Sequence, residues 1–313
     1  MPRHSDSRRL RQPAAGYTLI ELMVTLVISM LVLIAGLSFY LMSRNSYATI
    51  DDNANLEERG QFAISVMSRV LRQASYVPPG PSGGAMVITD QMIFGRESCS
   101  TPGDGEDLVC NGGASVNGSD MFMVRYYGSG VPGNPRTPDE SIVDCSGQGV
   151  AGYTEGDVTL AASQRGLSVF FVANNAAGKP TLMCKYRQRT AGEESLTTYV
   201  TQELVTGVEN MQLLYGISTN SDDVPDKYVR ADEMTTLEWL HIATIKLSIV
   251  VRADNASADA GGNGAIQMFG SLYNGADGTF TPTQDTQAAR RLFTTTLQVR
   301  NYNHCVPGDT SCL

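Results

Sequence analysis

The sequence predicts an α+β protein: a long apolar N-terminal α-helix packed on an antiparallel β-sheet head with long, disulfide-pinned loops. Three observations predict it. Residues 22–42 hold twenty-one consecutive positions without a charge. A helical spacing of apolar residues then continues to Ala74 and ends before Val77-Pro78-Pro79-Gly80-Pro81. Beyond Pro81 the apolar period drops from 3.6 to 2.

The charge-free run is long enough, as a helix, to cover roughly 30 Å, the hydrocarbon thickness of a bilayer. Arg44 ends it; Arg3, Arg8, Arg9 and Arg11 precede it against Asp6. The positive-inside rule keeps that basic leader cytoplasmic and sends the body outward. An ordinary signal peptide would be cut near Ser46-Tyr47-Ala48, but its apolar region is normally only about 7–15 residues. A plain uncleaved anchor explains the run and leaves Glu21 unexplained. A carboxylate costs about 2.5–3.5 kcal/mol at the centre of a membrane helix and less toward its end, and it marks function by default. A cut after Gly16 supplies its partner by freeing an ammonium on Tyr17, four residues before Glu21. In a helical array, Glu21 of one subunit meets the Tyr17 amine of another, and each charge offsets the other's desolvation.

The helix does not stop at the membrane. Leu56, Ala63, Met67, Val70 and Ala74 share one helical face, while Glu57, Glu58, Arg59 and Gln61 occupy the others. The prolines end it. From Tyr17 to Ala74 it would be about 87 Å long. Gly36 and Gly60 either bend it or are tolerated at about 1 kcal/mol each. The expected organisation is a leader over residues 1–16, a transmembrane and assembly helix over 17–76, and a head over 77–313.

Strand signals fill the head. Residues 120–127 alternate, with Phe122, Val124 and Tyr126 on one face. Residues 167–172, 182–186, 208–215 and 242–252 follow, then Phe293, Thr295, Leu297 and Val299. The expectation is an antiparallel sheet with one face on the helix. The links at 97–119, 128–157 and 254–264 are long, a length at which loops commonly carry function or are mobile.

Six cysteines, Cys99, Cys110, Cys145, Cys184, Cys305 and Cys312, suit disulfides in an oxidising compartment, and six allow fifteen connectivities. Proximity favours Cys99 with Cys110 and Cys305 with Cys312, leaving Cys145 with Cys184. The alternative is buried free thiols.

Composition also excludes classes. The net charge is −9, and loss of the first sixteen residues takes it to −12. Such a body repels nucleic acid, so no nucleic-acid partner is expected. Only His4, His241 and His304 are present, and His4 leaves with the leader. No nucleophile elbow, phosphate loop or H-E-x-x-H occurs, so neither catalysis nor a cofactor is expected. The acidic loop at 218–226 is oxygen-rich enough to suggest calcium. It lacks alternating aspartates and the glycine, so a solvated turn is expected and no metal. His304 beside Cys305 is explained more simply by a disulfide-closed tail. Trp239 is expected in the core.

Gly16-Tyr17-Thr18-Leu19-Ile20-Glu21, after a basic leader and before an apolar run, resembles the class III signal of type IV prepilins and pseudopilins. The resemblance implies cleavage after Gly16 and N-methylation of Tyr17 by a prepilin peptidase/methyltransferase, with Glu21 as the assembly carboxylate. The first mature residue is usually Phe in that family; here it is the equally aromatic Tyr17. Gly207-Val208-Glu209-Asn210-Met211-Gln212-Leu213-Leu214-Tyr215-Gly216, then Asp226-Lys227-Tyr228-Val229, Trp239 and residues 290–301, resemble the PilW family of minor type IV pilins. That implies a low-copy subunit, inserted in the inner membrane and then built into the pilus, that helps start assembly. Its implied partners are the major pilin, other minor pilins and a PilY-type tip adhesin. The alternatives are a J-type pseudopilin of type II secretion and a single-pass adhesin that never enters a filament.

Overall fold

The computed structural model describes residues 16–78, 91–106, 108–112, 115–154, 158–190, 193–220, 222, 224–256, 264–271, 273, 275 and 277–301. It divides into two compact units, Met1–Asp51 and Asp52–Leu313.

Helix α1 spans Leu19–Gln73. In the first unit its apolar side chains, from Leu19 to Met42, are exposed. In the second unit the helix buries Leu56, Ala63, Met67, Val70 and Leu71. The spacing that predicted one face thus marks the buried face. Helical geometry runs unbroken through Gly36 and Gly60. Gly60 is buried, and a Cβ there would fall on the Phe293 ring. Its role is close approach of helix to sheet, not a bend.

The strands form two larger antiparallel sheets. The first has β1 (Ile93–Arg96), β2 (Met121–Tyr126), β5 (Gly166–Asn174), β6 (Pro180–Thr190) and β7 (Glu193–Thr206) in the order β1-β2-β5-β6-β7. The second has β13 (Ala288–Gln298), β10 (Ile242–Ala256), β8 (Val208–Ile217) and β9 (Lys227–Val229) in the order β13-β10-β8-β9. Two small ribbons, β3 (Gly130–Val131) with β4 (Asn134–Pro138) and β11 (Ile266–Gln267) with β12 (Thr279–Phe280), and a short α2 (Val158–Ala162) complete the described strands and α-helices.

One glycine joins the sheets. β7 and β8 are separated only by Gly207, at φ +91. Its N–H donates to Pro180 O on β6 at 2.8 Å, and its carbonyl accepts from Arg252 N on β10 at 2.8 Å. One residue therefore bonds into both sheets. A Cβ would lie 2.7 Å from Arg252 O, so glycine alone fits both the space and the positive φ.

The main core lies where the helix meets both sheets. The helix contributes Met67 and Val70; the first sheet adds Phe122, Val124, Phe170 and Leu182; the second adds Met211, Leu213, Ile245, Leu247 and Ile249. Trp239 is buried, with Phe94 at 4.5 Å and Tyr215 at 5.0 Å between ring centroids. Three satellite clusters lie apart from it, one of them built from Met92, Tyr127, Tyr153 and Ala161. Of the other two, one sets Cys99 and Leu108 against Met121, Val169 and Phe171; the other sets Met268 and Phe280 against Val250.

Candidate assembly site

The N-terminal unit carries the predicted processing and assembly residues. Gly16, Tyr17 and Thr18 precede the first helical turn. Thr18 Oγ1 accepts from Glu21 N at 3.3 Å, and Leu22 N donates to Thr18 O at 3.1 Å. Thr18 is therefore the N-cap of α1, with Glu21 three residues later, the T-x-x-E spacing of a capping box. The carboxylate of Glu21 also lies in the first turn, where the helix dipole favours negative charge. Tyr17 is 84% exposed, and a Cβ on Gly16 would meet nothing within 4 Å, so the Gly16–Tyr17 bond is open to approach.

Behind this cap the helix is long and apolar enough to cross a membrane, with mean hydropathy 2.6 over its most apolar window and none of that window buried. Its hydroxyls bond inward. Thr25 Oγ1 donates to Leu22 O and Ser38 Oγ to Ile34 O, both at 2.9 Å. Such back-bonding satisfies polar groups where a lipid solvent would not. Glu21 is the only Asp, Glu, Lys or Arg from residue 17 to residue 43.

In the head, disulfides join Cys99 to Cys110 and Cys145 to Cys184, with Cα separations of 5.9 and 6.1 Å. Cys305, Cys312 and His304 lie outside the described residues, as do leader residues 1–15. The Cys99–Cys110 loop is held by more than its disulfide. Glu106 lies 3.3 Å from Arg125, 3.4 Å from Arg165 and 3.6 Å from Arg187. Lys185 Nζ donates to Gly103 O and, at 2.6 Å, to Gly105 O. Burial pushes that ammonium below its ordinary range, with the Asp104 charge opposing. Cys145–Cys184 ties the 128–157 link to β6.

In the 218–226 loop, Ser221 and Asp223 lie outside the described residues. Asp226 Oδ2 accepts from Thr219 N at 2.7 Å and Thr219 Oγ1 at 2.5 Å, which lowers its carboxyl below the usual range. Asp222 Oδ1 accepts from Val224 N at 2.9 Å. These carboxylates close the turn on itself. Among the described residues, no group of three or more His, Cys, Asp or Glu side chains is arranged to hold a metal.

One buried acidic pair has no signature in the sequence. Asp120 is 1% exposed, accepting from Leu213 N at 2.9 Å and Ser98 N at 3.3 Å. Glu97 Oε1 accepts from Ala231 N at 2.8 Å, while its buried Oε2 has no donor among the described residues. Burial raises both carboxyls above the usual range; each also feels the other, and Arg230 partly opposes the rise at Glu97. Glu97 and Asp120 sit at opposite ends of a disulfide-bearing loop, so only the fold makes them neighbours.

Residues 11–37 match the prokaryotic N-terminal methylation motif, and residues 169–301 match the type IV pilus-assembly protein W family. No curated protein matches the chain. Among solved structures, a type IV-like pilin from Thermus thermophilus aligns over 79% of this chain and 98% of its own, at 11% identity and a TM-score of 0.37. The methylation motif covers the capped start of the apolar helix, and the second match covers every strand from β6 to β13, including the Gly207 crossover. The chain is thus similar to type IV prepilins at its N-terminus and to the PilW family over residues 169–301.

Proposed function

We propose that this chain is a low-copy priming subunit of the type IV pilus. It is made as a prepilin and cut between Gly16 and Tyr17 on the cytoplasmic side. The same peptidase/methyltransferase then methylates the Tyr17 amine. The apolar helix holds the subunit in the inner membrane with the head in the periplasm, until extraction into the filament brings it to the cell surface. Residues 17–76 form the anchor and assembly helix, and 77–313 the head. One observation carries this reading: the apolar stretch of α1 is wholly exposed and holds a single Asp, Glu, Lys or Arg, Glu21, four residues after Tyr17. Exposed apolar surface of this extent needs lipid or other helices around it. The Tyr17 ammonium of a neighbouring subunit is the partner that balances Glu21 in that low-dielectric setting and sets register between helices. The head, closed by its own core and disulfides, then sits at the filament tip with other minor pilins and a PilY-type adhesin.

Mass spectrometry of the mature chain tests the processing step. The expected N-terminus is Tyr17 with one methyl group; a start at Thr49 or an intact Met1 overturns it. Glu21→Ala should leave the protein in the membrane and out of sheared filaments. Deletion of the gene should cut piliation and twitching. Normal pili with lost exoprotein secretion would instead assign it to a secretion pseudopilus.

A further inference from the structure

Two Asn-Gly steps fall among the described residues, Asn111-Gly112 and Asn117-Gly118, and both lie in the link between β1 and β2. Such a step is where a chain most readily attacks itself. Asparagine is a thermolabile side chain, and the glycine after it has no Cβ to crowd its nitrogen or restrict its backbone. The glycine nitrogen loses its proton to base and bonds to the asparagine Cγ. The Cγ–Nδ2 bond breaks and ammonia leaves, closing a succinimide ring. Water then opens the ring. Breaking the new Cγ–N bond yields aspartate; breaking the original peptide C–N bond yields isoaspartate, with the chain running through Cβ. Water enters, ammonia leaves, and no oxidant or reductant is needed.

Exposure does not separate the two steps, since both asparagines are exposed. They differ in how they are held. At the second, Asn117 Nδ2 donates to Glu209 O at 2.9 Å, and Asn117 O accepts from Asn210 Nδ2 at 2.7 Å. Gly118 O accepts from Gln212 Nε2 at 2.9 Å and from Ser98 Oγ at 3.4 Å. Ring closure must release the amide and turn the Asn117–Gly118 peptide plane, so it breaks the first two bonds and disturbs the others. At the first step, Asn111 N donates to Thr101 O at 3.0 Å, and Gly112 O accepts from Thr101 Oγ1 at 3.1 Å. Those bonds flank the Asn111–Gly112 peptide and leave it free to turn. Among the described residues, neither that peptide group nor the Asn111 amide has a hydrogen-bond partner. A Cβ on Gly112 would meet nothing within 4 Å, so no neighbour walls off the turn.

We propose that Asn111 is a site of spontaneous conversion to aspartate and isoaspartate, and that the clamps on Asn117 spare the second step. The product places a new carboxylate next to the Cys99–Cys110 disulfide. In the isoaspartate form it also lengthens the main chain by one carbon between the two Thr101 bonds. This goes beyond the assembly role and does not depend on it, because the reaction needs only water and base.

The experiment follows the full mature chain in detergent, held in warm, mildly alkaline buffer and sampled over time. Peptide mapping by mass spectrometry, with a fragmentation that separates isoaspartate from aspartate, reads each Asn-Gly step. In the folded chain Asn111 should convert about tenfold or more faster than Asn117, which must first lose two hydrogen bonds by local opening. Isoaspartate should be among the products, the mark of a ring intermediate. In the reduced chain in denaturant the clamps are gone, and the two steps should convert at similar rates. Asn111→Gln should end conversion at that position, because glutamine would have to close a larger ring. Asn210→Ala removes one clamp; it should speed Asn117 and leave Asn111 unchanged. The proposal is overturned if Asn111 stays intact in the folded chain while the denatured chain converts, or if only aspartate forms. It is equally overturned if Asn117 keeps pace with Asn111 in the folded chain, or if the difference between them persists in denaturant. That comparison of folded and denatured parent chain decides the matter if Asn210→Ala fails to fold.

Discussion

Gly60 and the Glu97–Asp120 pair show how single residues are set by partners far away in sequence. Gly60 lies under the Phe293 ring, so Gly60→Val should destabilise the head by about 1–3 kcal/mol, the usual cost of overpacking. Placed in a Phe293→Ala background, the same change should cost close to nothing, because the added methyls fill the space left by the ring. Chemical denaturation of the four chains closes that cycle. The acidic pair makes a pH statement. Both folded-state pKa values are raised, so the folded head binds more protons than the unfolded chain between the unfolded and folded values. The pair's stabilisation is full below about pH 4, where unfolded carboxyls titrate, and is lost as pH rises through the raised values. A retained proton also gives Glu97 Oε2 the partner it lacks. Glu97→Gln can keep the Ala231 bond and donate to Asp120, so its melting temperature should fall less between pH 4 and pH 7 than that of the parent. An equal fall would rule out the pair as its source.

At the scale of elements, the strands with regular alternation were legible, and β7 was not. Its fourteen residues are rich in Thr and Glu, and as an edge strand most of its side chains are exposed or half-buried, so no apolar period marks it. Alternation also placed β8 and the earlier strands without saying that they divide between two sheets; Gly207 makes that division. The disulfides act on the loops between elements. In the chain-entropy account, Cys99–Cys110, eleven residues apart, is worth about 3 kcal/mol, and Cys145–Cys184, thirty-nine apart, about 4 kcal/mol. Removing the second as a Cys→Ser pair should therefore lower the denaturation midpoint more than removing the first. The Glu106 cluster and Lys185 still hold the first loop when its disulfide is gone, which widens the difference.

At the scale of the molecule, the two units answer to different solvents. Every residue of the main core lies at or beyond Leu56, and Asp52 accepts from Asn255 Nδ2 at 2.8 Å. A chain beginning at Ala48 should thus be water-soluble without detergent and keep the near-ultraviolet signal of the packed Trp239. Its unfolding midpoint should match that of the full chain in detergent. A fragment that stays molten would mean that the apolar helix also stabilises the head.

The sequence alone determined what depends on near neighbours. The charge-free run, the end of the helix, the buried helix face and the alternating strands are all written within a turn or a strand pair of themselves. The processing motif is equally local. Only the tertiary structure decided what depends on distant pairs. It chose the partners of four cysteines, split the strands between two sheets, set Phe293 over Gly60, and joined Glu97 to Asp120. It also buried the Asn210 and Gln212 side-chain oxygens where no donor reaches them among the described residues. The physical reason is that period and propensity act along the chain, whereas burial without a partner exists only once segments a hundred residues apart have closed over it.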